Sequence, residues 1–265
     1  GQLWVGTESG LDRYDGQRVQ HIGGTAYTLT GIAQDSEGTT WATTKEGRLL
    51  CVRKGSDQAE LIEHRNAAGT GYSAPLNAVF DLNDTTLLVA STEATLLFVD
   101  KRTRAFSYWV DSLDLSPARA APDPQGRSGW AHSIVALNDD LLWVGLLNFH
   151  LSLLVDRHTL KVRHHLIIHR AGSSTHSCAT LSGDRMLLGG WQNGIDVLDL
   201  RMPEPNTTAY NAPERTIATD DEVLHLVPWG KGRTIGGTRG KGLVLIDPAT
   251  GRTTDRYHHT AEPGS

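Results

Sequence analysis

The 265-residue chain carries twelve histidines and two cysteines, the side chains best able to hold a metal or to act near neutral pH. In KVRHHLIIHR (161–170), His165 and His169 fall on one face of an extended strand and His164 on the other. Two imidazoles on one face begin a zinc site, but a catalytic zinc takes three protein ligands. His258 and His259 form a further pair. Cys51 and Cys178 show no Cys-x-x-Cys or Cys-x-His spacing, so they read as two buried thiols packing as small hydrophobes, not as a redox pair. No metal and no cofactor is expected on this reading.

A larger set of residues has the chemistry of a polar-ligand site. Segments that lead into apolar runs contribute Tyr27 and Thr28, Tyr72 and Ser73, Trp130 and His132, Thr175 and His176, and Asp220 and Asp221. Hairpin turns add Glu8, Lys45, Glu46, Asn148, His150, Trp191, Gln192, Asn193, Arg239 and Lys241. Aromatic rings stack on the apolar face of a sugar while amides and imidazoles bond its hydroxyls. From these the expected ligand-binding set is Tyr27, Tyr72, Trp130, His132, Asn148, His150, His176, Trp191, Gln192, Asn193, Asp221 and Arg239. Turns are polar wherever they are exposed, so the set gains meaning only if the elements bring it to one rim.

Those elements repeat. The opening LWVGTESGLDRYDG (3–16) is an apolar run, a small residue, Thr, a turn and a second apolar run. It returns as TWATTKEGRLLCV (40–52), LVASTEATLLFVD (88–100), LWVGLLNFHLSLLVD (142–156), LLGGWQNGIDVLDL (187–200) and TIGGTRGKGLVLIDP (234–248). Alignment on Trp4 gives Trp41, Val89, Trp143, Leu188 and Ile235. Another apolar stretch precedes each later hairpin, and a more polar one follows all six, from RVQHI (18–22) to TTAYNA (207–212) and TTDRYHH (253–259). Period-two alternation, β-branched residues and Asp/Asn/Gly turns make each a strand, and no helical periodicity is evident.

Four antiparallel strands repeated every ~40–50 residues predict an all-β chain folded as a β-propeller of six units. The expected units are 1–24, 25–70, 71–116, 130–172, 173–216 and 217–260, in a single domain with a Pro/Ala/Gly-rich insertion loop at 111–131. The first unit lacks its innermost strand, which suggests a chain cut from a longer protein or a ring with one three-stranded blade. Trp41 and Trp143 are expected in the core between blades, and Gly6, Gly145, Gly189 and Gly236 where neighbouring blades approach closely. A net charge of −5 leaves no electrostatic footprint for nucleic acid, and the apolar runs are too short to span a bilayer as helices.

QDSEGTTWATTKEGRLLCV (34–52) and LWVGTESGLDRYDG (3–16) resemble the two-component regulator propeller repeat. Asp35, Gly38, Trp41 and Thr44 match its front half; Trp4, Gly6, Thr7, Gly10, Leu11, Tyr14, Asp15 and Gly16 match its back half. Units three to six keep partial remnants such as Trp143, Gly145, Gly194, Ile195 and Asp199. The resemblance implies the periplasmic sensor module of a bacterial signal-transduction receptor, joined to further domains of the same receptor. Such a module binds a small polar ligand, often a carbohydrate, without catalysis of its own. DSEGTTW also resembles the structural Asp-box turn of sialidase-type propellers. The rival readings are a lyase or glycoside hydrolase using His132, His150 or His176 with Asp221, and a protein–protein scaffold.

Overall fold

A computed structural model describes residues 2–63, 74–92, 96–109, 130–147, 151–167, 176–190, 193–200, 214–230 and 232–257. Among them are twenty-two strands, β1 to β22, and no helix. The strands form five antiparallel sheets of three to seven strands. Sheet one is β1 (Leu3–Thr7), β2 (Gly10–Tyr14) and β3 (Val19–His21). Sheet two is β4 (Leu29–Gln34), β5 (Thr40–Thr44), β6 (Arg48–Val52) and β7 (Glu60–Glu63). Sheet three is β8 (Leu76–Asp81), β9 (Thr86–Ser91), β10 (Leu96–Asp100) and β11 (Phe106–Tyr108). Sheet four is β12 (Trp130–Ala136), β13 (Leu141–Leu147), β14 (Leu151–Asp156) and β15 (Val162–Ile167).

The fifth and sixth repeats share one seven-stranded sheet: β16 (His176–Ser182), β17 (Arg185–Gly190), β18 (Asn193–Asp199), β19 (Arg215–Trp229), β20 (Arg233–Thr238), β21 (Leu243–Asp247) and β22 (Arg252–Tyr257). TTAYNA (207–212), expected as the outer strand of the fifth unit, lies outside the described residues. The first part of β19 takes that place: Arg215, Thr216 and Ile217 pair with β18. Its second part, from Val223 to Trp229, pairs with β20 as the first strand of the sixth repeat. One unbroken strand therefore serves two repeats.

The chain divides into two compact units, Gly1–Leu113 with Gly129–Ile134, and Asp114–Ser128 with Val135–Ser265. In the first, Leu11 and Ile22 of repeat one meet Val52 and Ile32 of repeat two. Trp41, Leu49, Cys51 and Ile62 then pack against Leu76, Val79, Leu87, Val89, Leu97 and Val99. In the second unit, Trp143, Leu154 and Leu166 meet Ala179, Met186, Leu188 and Leu198. Leu187, Ile195 and Val197 meet Val223, Leu226, Val244 and Ile246. A sheet covered on both faces loses the polar/apolar alternation, which is why β5 and β6 read as near-continuous buried runs. The outer strands β3 and β7 stay mostly exposed and polar. The first strand β4 is only partly covered, and burial in its sheet peaks in the middle two strands.

Pairing corrects the repeat alignment at two positions. Four first strands open their pairing on equivalent pairs, Leu29↔Thr44, Leu76↔Ser91, His176↔Gly190 and Val223↔Thr238. Counting back from these partners, the equivalents of Trp41 are Leu88, Leu187 and Ile235, not Val89 and Leu188. A one-residue slip turns a side chain to the other face. Val89 accordingly packs toward repeat two and Leu188 toward repeat four.

Candidate functional site

Four first strands, β4, β8, β16 and the second part of β19, enter their sheets with the same irregularity. A β-bulge falls just after the opening pair of each: Thr30, Asn77, Ser177 and Leu224. A bulge leaves one residue out of the ladder and re-aims its side chain. Thr30 Oγ1 donates to Leu76 O of the next repeat, and Asn77 Nδ2 donates to Ala131 O over 2.9 Å. At the same end, the hairpin joining the second and third strands folds onto the segment ahead of the first. Its N–H donates to that segment's carbonyl as Lys45 to Thr28 (2.9 Å), Thr92 to Pro75 (3.1 Å) and Arg239 to Glu222 (3.0 Å). These bonds bring the two classes of expected rim segment together within repeats two, three and six.

In repeat two, the Glu46 carboxylate accepts from Thr28 N over 3.2 Å, and Thr28 Oγ1 donates to Glu8 O over 3.4 Å. Tyr27 is half-buried beside them. In repeat six the rim is a charge cluster. Asp221 accepts from Gly240 N over 2.7 Å and from Glu222 N over 2.9 Å. Arg239 Nη1 donates to Glu222 Oε2 over 3.0 Å, and Lys241 Nζ to Asp220 Oδ2 over 3.2 Å. The Gly240 and Glu222 amides hold the Asp221 carboxyl below the usual carboxylate range. Such a group is a weak proton acceptor at neutral pH. Asn193 opens β18 as the backbone partner of Glu222.

His132 is the third residue of β12 and follows Ala131, whose carbonyl accepts from Asn77 as that of Leu76 accepts from Thr30; its Nδ1 lies 3.1 Å from Ser133 Oγ. Burial pushes its imidazole pKa down. Trp130 and His176 open β12 and β16. Tyr72, Asn148, His150, Trp191 and Gln192 lie outside the described residues, as do His169, His258, His259, Ser73 and Thr175. Among the described residues no three His, Cys, Asp or Glu side chains group closely enough to hold a metal ion, and no helix is long and apolar enough to cross a membrane. Cys51 and Cys178 are buried free thiols, each in an apolar cluster.

The sequence reading missed Glu46 as the staple of Thr28, Glu222 as the partner of Arg239, and the bulge residues. The available signal was positional: each of the four bulge residues directly follows the residue that opens the first strand's pairing with the second. One concavity lies away from the rims, about 410 Å³ on the outer part of sheet one, lined by Gln2, Arg13, Asp15, Arg18, Val19 and Gln20. Compared with known proteins, the chain matches no family model and no curated sequence.

Proposed function

We propose that the six repeats are the blades of a β-propeller and that the chain is a ligand-sensing module of a larger bacterial receptor, without catalysis of its own. Its ligand is a small polar molecule, a saccharide by chemistry, held at the rim where first strands begin. The observation that supports this most is the recurrent bond between hairpin turn and pre-strand carbonyl in repeats two, three and six. It gives each repeat a fixed platform on which the side chains are free to differ: Tyr27, Thr28 and Lys45 in one, Asp221 and Arg239 in another. The periplasmic location and the signalling role rest on the resemblance of residues 3–16 and 34–52 to the regulator propeller repeat.

Calorimetric titration of an oligosaccharide panel tests the reading. A saccharide ligand is expected to bind with a Kd in the micromolar to millimolar range, roughly −8 to −4 kcal/mol. Trp191→Ala and Arg239→Ala should each weaken it. A ligand whose affinity neither substitution changes would place binding elsewhere.

A further inference from the structure

The turns between first and second strands in repeats three and four share one hydrogen-bond pattern. Leu82-Asn83-Asp84-Thr85-Thr86 and Leu137-Asn138-Asp139-Asp140-Leu141 hold equivalent places. Leu82 N and Asn83 N donate to Thr86 O over 3.1 and 3.3 Å; Leu137 N and Asn138 N donate to Leu141 O over 2.9 and 3.4 Å. The turn after the third strand completes both, Lys101 N donating to Thr85 O and Arg157 N to Asp140 O, each over 2.8 Å. Within the turn the asparagine has the same backbone role twice. Asn83 Oδ1 accepts from Thr85 N over 3.0 Å, and Asn138 Oδ1 accepts from Asp140 N over 2.9 Å. That bond is what an Asx turn requires.

The turn therefore fixes the asparagine but not the side chain two places on, which is Thr85 in one repeat and Asp140 in the other. Threonine at that place completes Asn-x-Thr, with Asp84 at x, the acceptor pattern for N-linked glycosylation. The pattern alone is short, and the geometry adds what it lacks. Asn83, Asp84 and Thr85 are all exposed, at the end of sheet three away from the rim. Thr85 Oγ1 donates to Asn83 Oδ1 over 3.0 Å, and Thr86 N donates to the same oxygen over 3.0 Å. With Thr85 N, three donors hold the carboxamide oxygen against the turn. Among the described residues no group accepts from Asn83 Nδ2, so the nitrogen is the unengaged end.

We propose that Asn83 is an acceptor site for N-linked glycosylation, the donor being an oligosaccharide carried on a polyisoprenyl pyrophosphate and the catalyst an oligosaccharyltransferase. Asn83 Nδ2 attacks the anomeric carbon of the reducing-end sugar. The bond from that carbon to the pyrophosphate oxygen breaks, the lipid pyrophosphate leaves with the electron pair, and Nδ2 gives up one proton. Nothing is oxidised or reduced. The glycan stands on a turn at the far end of the sheet from the rim, so it leaves the ligand platform clear. In the cell the transfer rests on the extracytoplasmic location proposed above; the acceptor geometry does not. Asn206-Thr207-Thr208 has the same pattern but lies outside the described residues.

The test incubates the intact, folded chain with a purified oligosaccharyltransferase that requires only Asn-x-Ser/Thr, together with its lipid-linked oligosaccharide. Done in vitro, it depends neither on where the chain resides nor on what the rim binds, so its failure is distinct from theirs. Peptide N-glycosidase converts a glycosylated Asn to Asp, and peptide mass mapping after that treatment should mark Asn83. Thr85→Ala should abolish the mark and Thr85→Ser should keep it; both retain the backbone N–H that closes the turn. Asp140→Thr should create a second mark at Asn138, which the wild-type chain lacks. That gain needs no change near Asn83, so it stands even if Thr85→Ala disturbs its own turn. An unmarked Asn83 in the folded wild-type chain, a mark that survives Thr85→Ala, or an unmarked Asn138 in Asp140→Thr would each overturn the proposal.

Discussion

Trp41 donates its indole N–H to Oδ2 of Asp35 over 2.9 Å, six residues back along the chain. The other carboxylate oxygen of Asp35 accepts from Glu37 N (3.1 Å) and Thr39 N (2.9 Å), so one side chain closes the turn and anchors the core tryptophan. On the far side, the Arg104 guanidinium lies 4.6 Å from the Trp41 ring centre and bridges to repeat three. Trp41→Ala is expected to cost about 3–5 kcal/mol, as large aromatic core truncations do. Trp41→Phe keeps the ring but leaves a buried carboxylate oxygen short of a donor. A double-mutant cycle with Asp35→Ala in urea should return a coupling of about 1–3 kcal/mol. Coupling near zero would mean that the bond does not hold the turn to the core.

The turns after the third strands offer a comparison at one structural position. Asp100, Asp156 and Asp247 end their strands, and each carbonyl accepts from the residue four places on: Arg104 (2.9 Å), Leu160 (2.8 Å) and Gly251 (2.8 Å). All three acceptors' partners are left-handed, with φ of 63°, 55° and 71°. That conformation costs an L side chain roughly 1–2 kcal/mol. Gly251→Ala should therefore destabilise by about 1 kcal/mol, and Leu160→Gly should be neutral to stabilising by about 1 kcal/mol. Arg104→Gly should destabilise despite the relieved strain, because it removes the stack on Trp41. Chemical denaturation of the three variants reads the signs directly.

The Asp turns were legible because the residue that ends the strand also bonds the turn backbone; Asp15 and Asp247 do what their Asp-Gly and Asp-Pro contexts announce, and Asp100 closes its turn in the same way. The first two repeats were legible because Trp4 and Trp41 fix the face. Where Leu replaced Trp, at Leu88 and Leu187, adjacent apolar residues gave no cue to the face and the register slipped by one. The long β19 was hidden because both of its halves look like ordinary short strands, and only pairing shows that they join. The rim was legible as a class of segment, but not its internal wiring. Which carboxylate meets which cation, as Glu222 meets Arg239, depends on hairpin geometry that residue types do not encode.

Acid should destabilise the protein in two separate windows. Backbone N–H groups hold Asp15, Asp100, Asp156 and Asp221 below their usual carboxylate range; hydrogen bonds from Thr250 do so for Asp247, and Arg185 for Glu214. A carboxyl with a lowered folded pKa contributes its stability above the unfolded value, about 4, and loses it as pH falls further. Burial lowers the His132 pKa as well, so the unfolded chain takes up that proton first. Its contribution is lost as pH falls below about 6.5. Urea midpoints measured from pH 8 to 3 should fall gently below pH 6.5 and steeply below pH 4. His132→Gln should flatten the first window and leave the second.

The two thiols should be silent in the native protein. Desolvation pushes the Cys178 thiol up to about 12 and raises that of Cys51. The thiolate is the reactive form, and neither sulfur is exposed. Ellman's reagent at pH 8 should find no fast-reacting thiol in the folded chain and two in guanidinium. A single fast thiol under native conditions would show that one of the two apolar clusters opens.

Gly189 tests how tightly consecutive repeats approach. A Cβ built there would lie 2.6 Å from the carbonyl oxygen of Val223, in the first strand of the next repeat, and 2.8 Å from Cys178 Sγ. The oxygen belongs to a backbone paired on its other side with β20, so it cannot yield without moving the strand. Gly6 meets the same limit against Leu29 Cβ, at 2.9 Å, so the constraint recurs between successive repeats. Gly237, which holds the same position in repeat six, is the control: its added Cβ would find His225 Cβ at 3.6 Å, an ordinary contact. Gly189→Ala is expected to cost about 2–3 kcal/mol, in the range of core overpacking, and to lower Tm by several degrees. Gly237→Ala should stay within about 0.5 kcal/mol, since nothing opposes the methyl. If the two substitutions proved equally mild in thermal and urea unfolding, the close packing of β17 on β19 would not hold, and with it the stacking of the fifth repeat on the sixth.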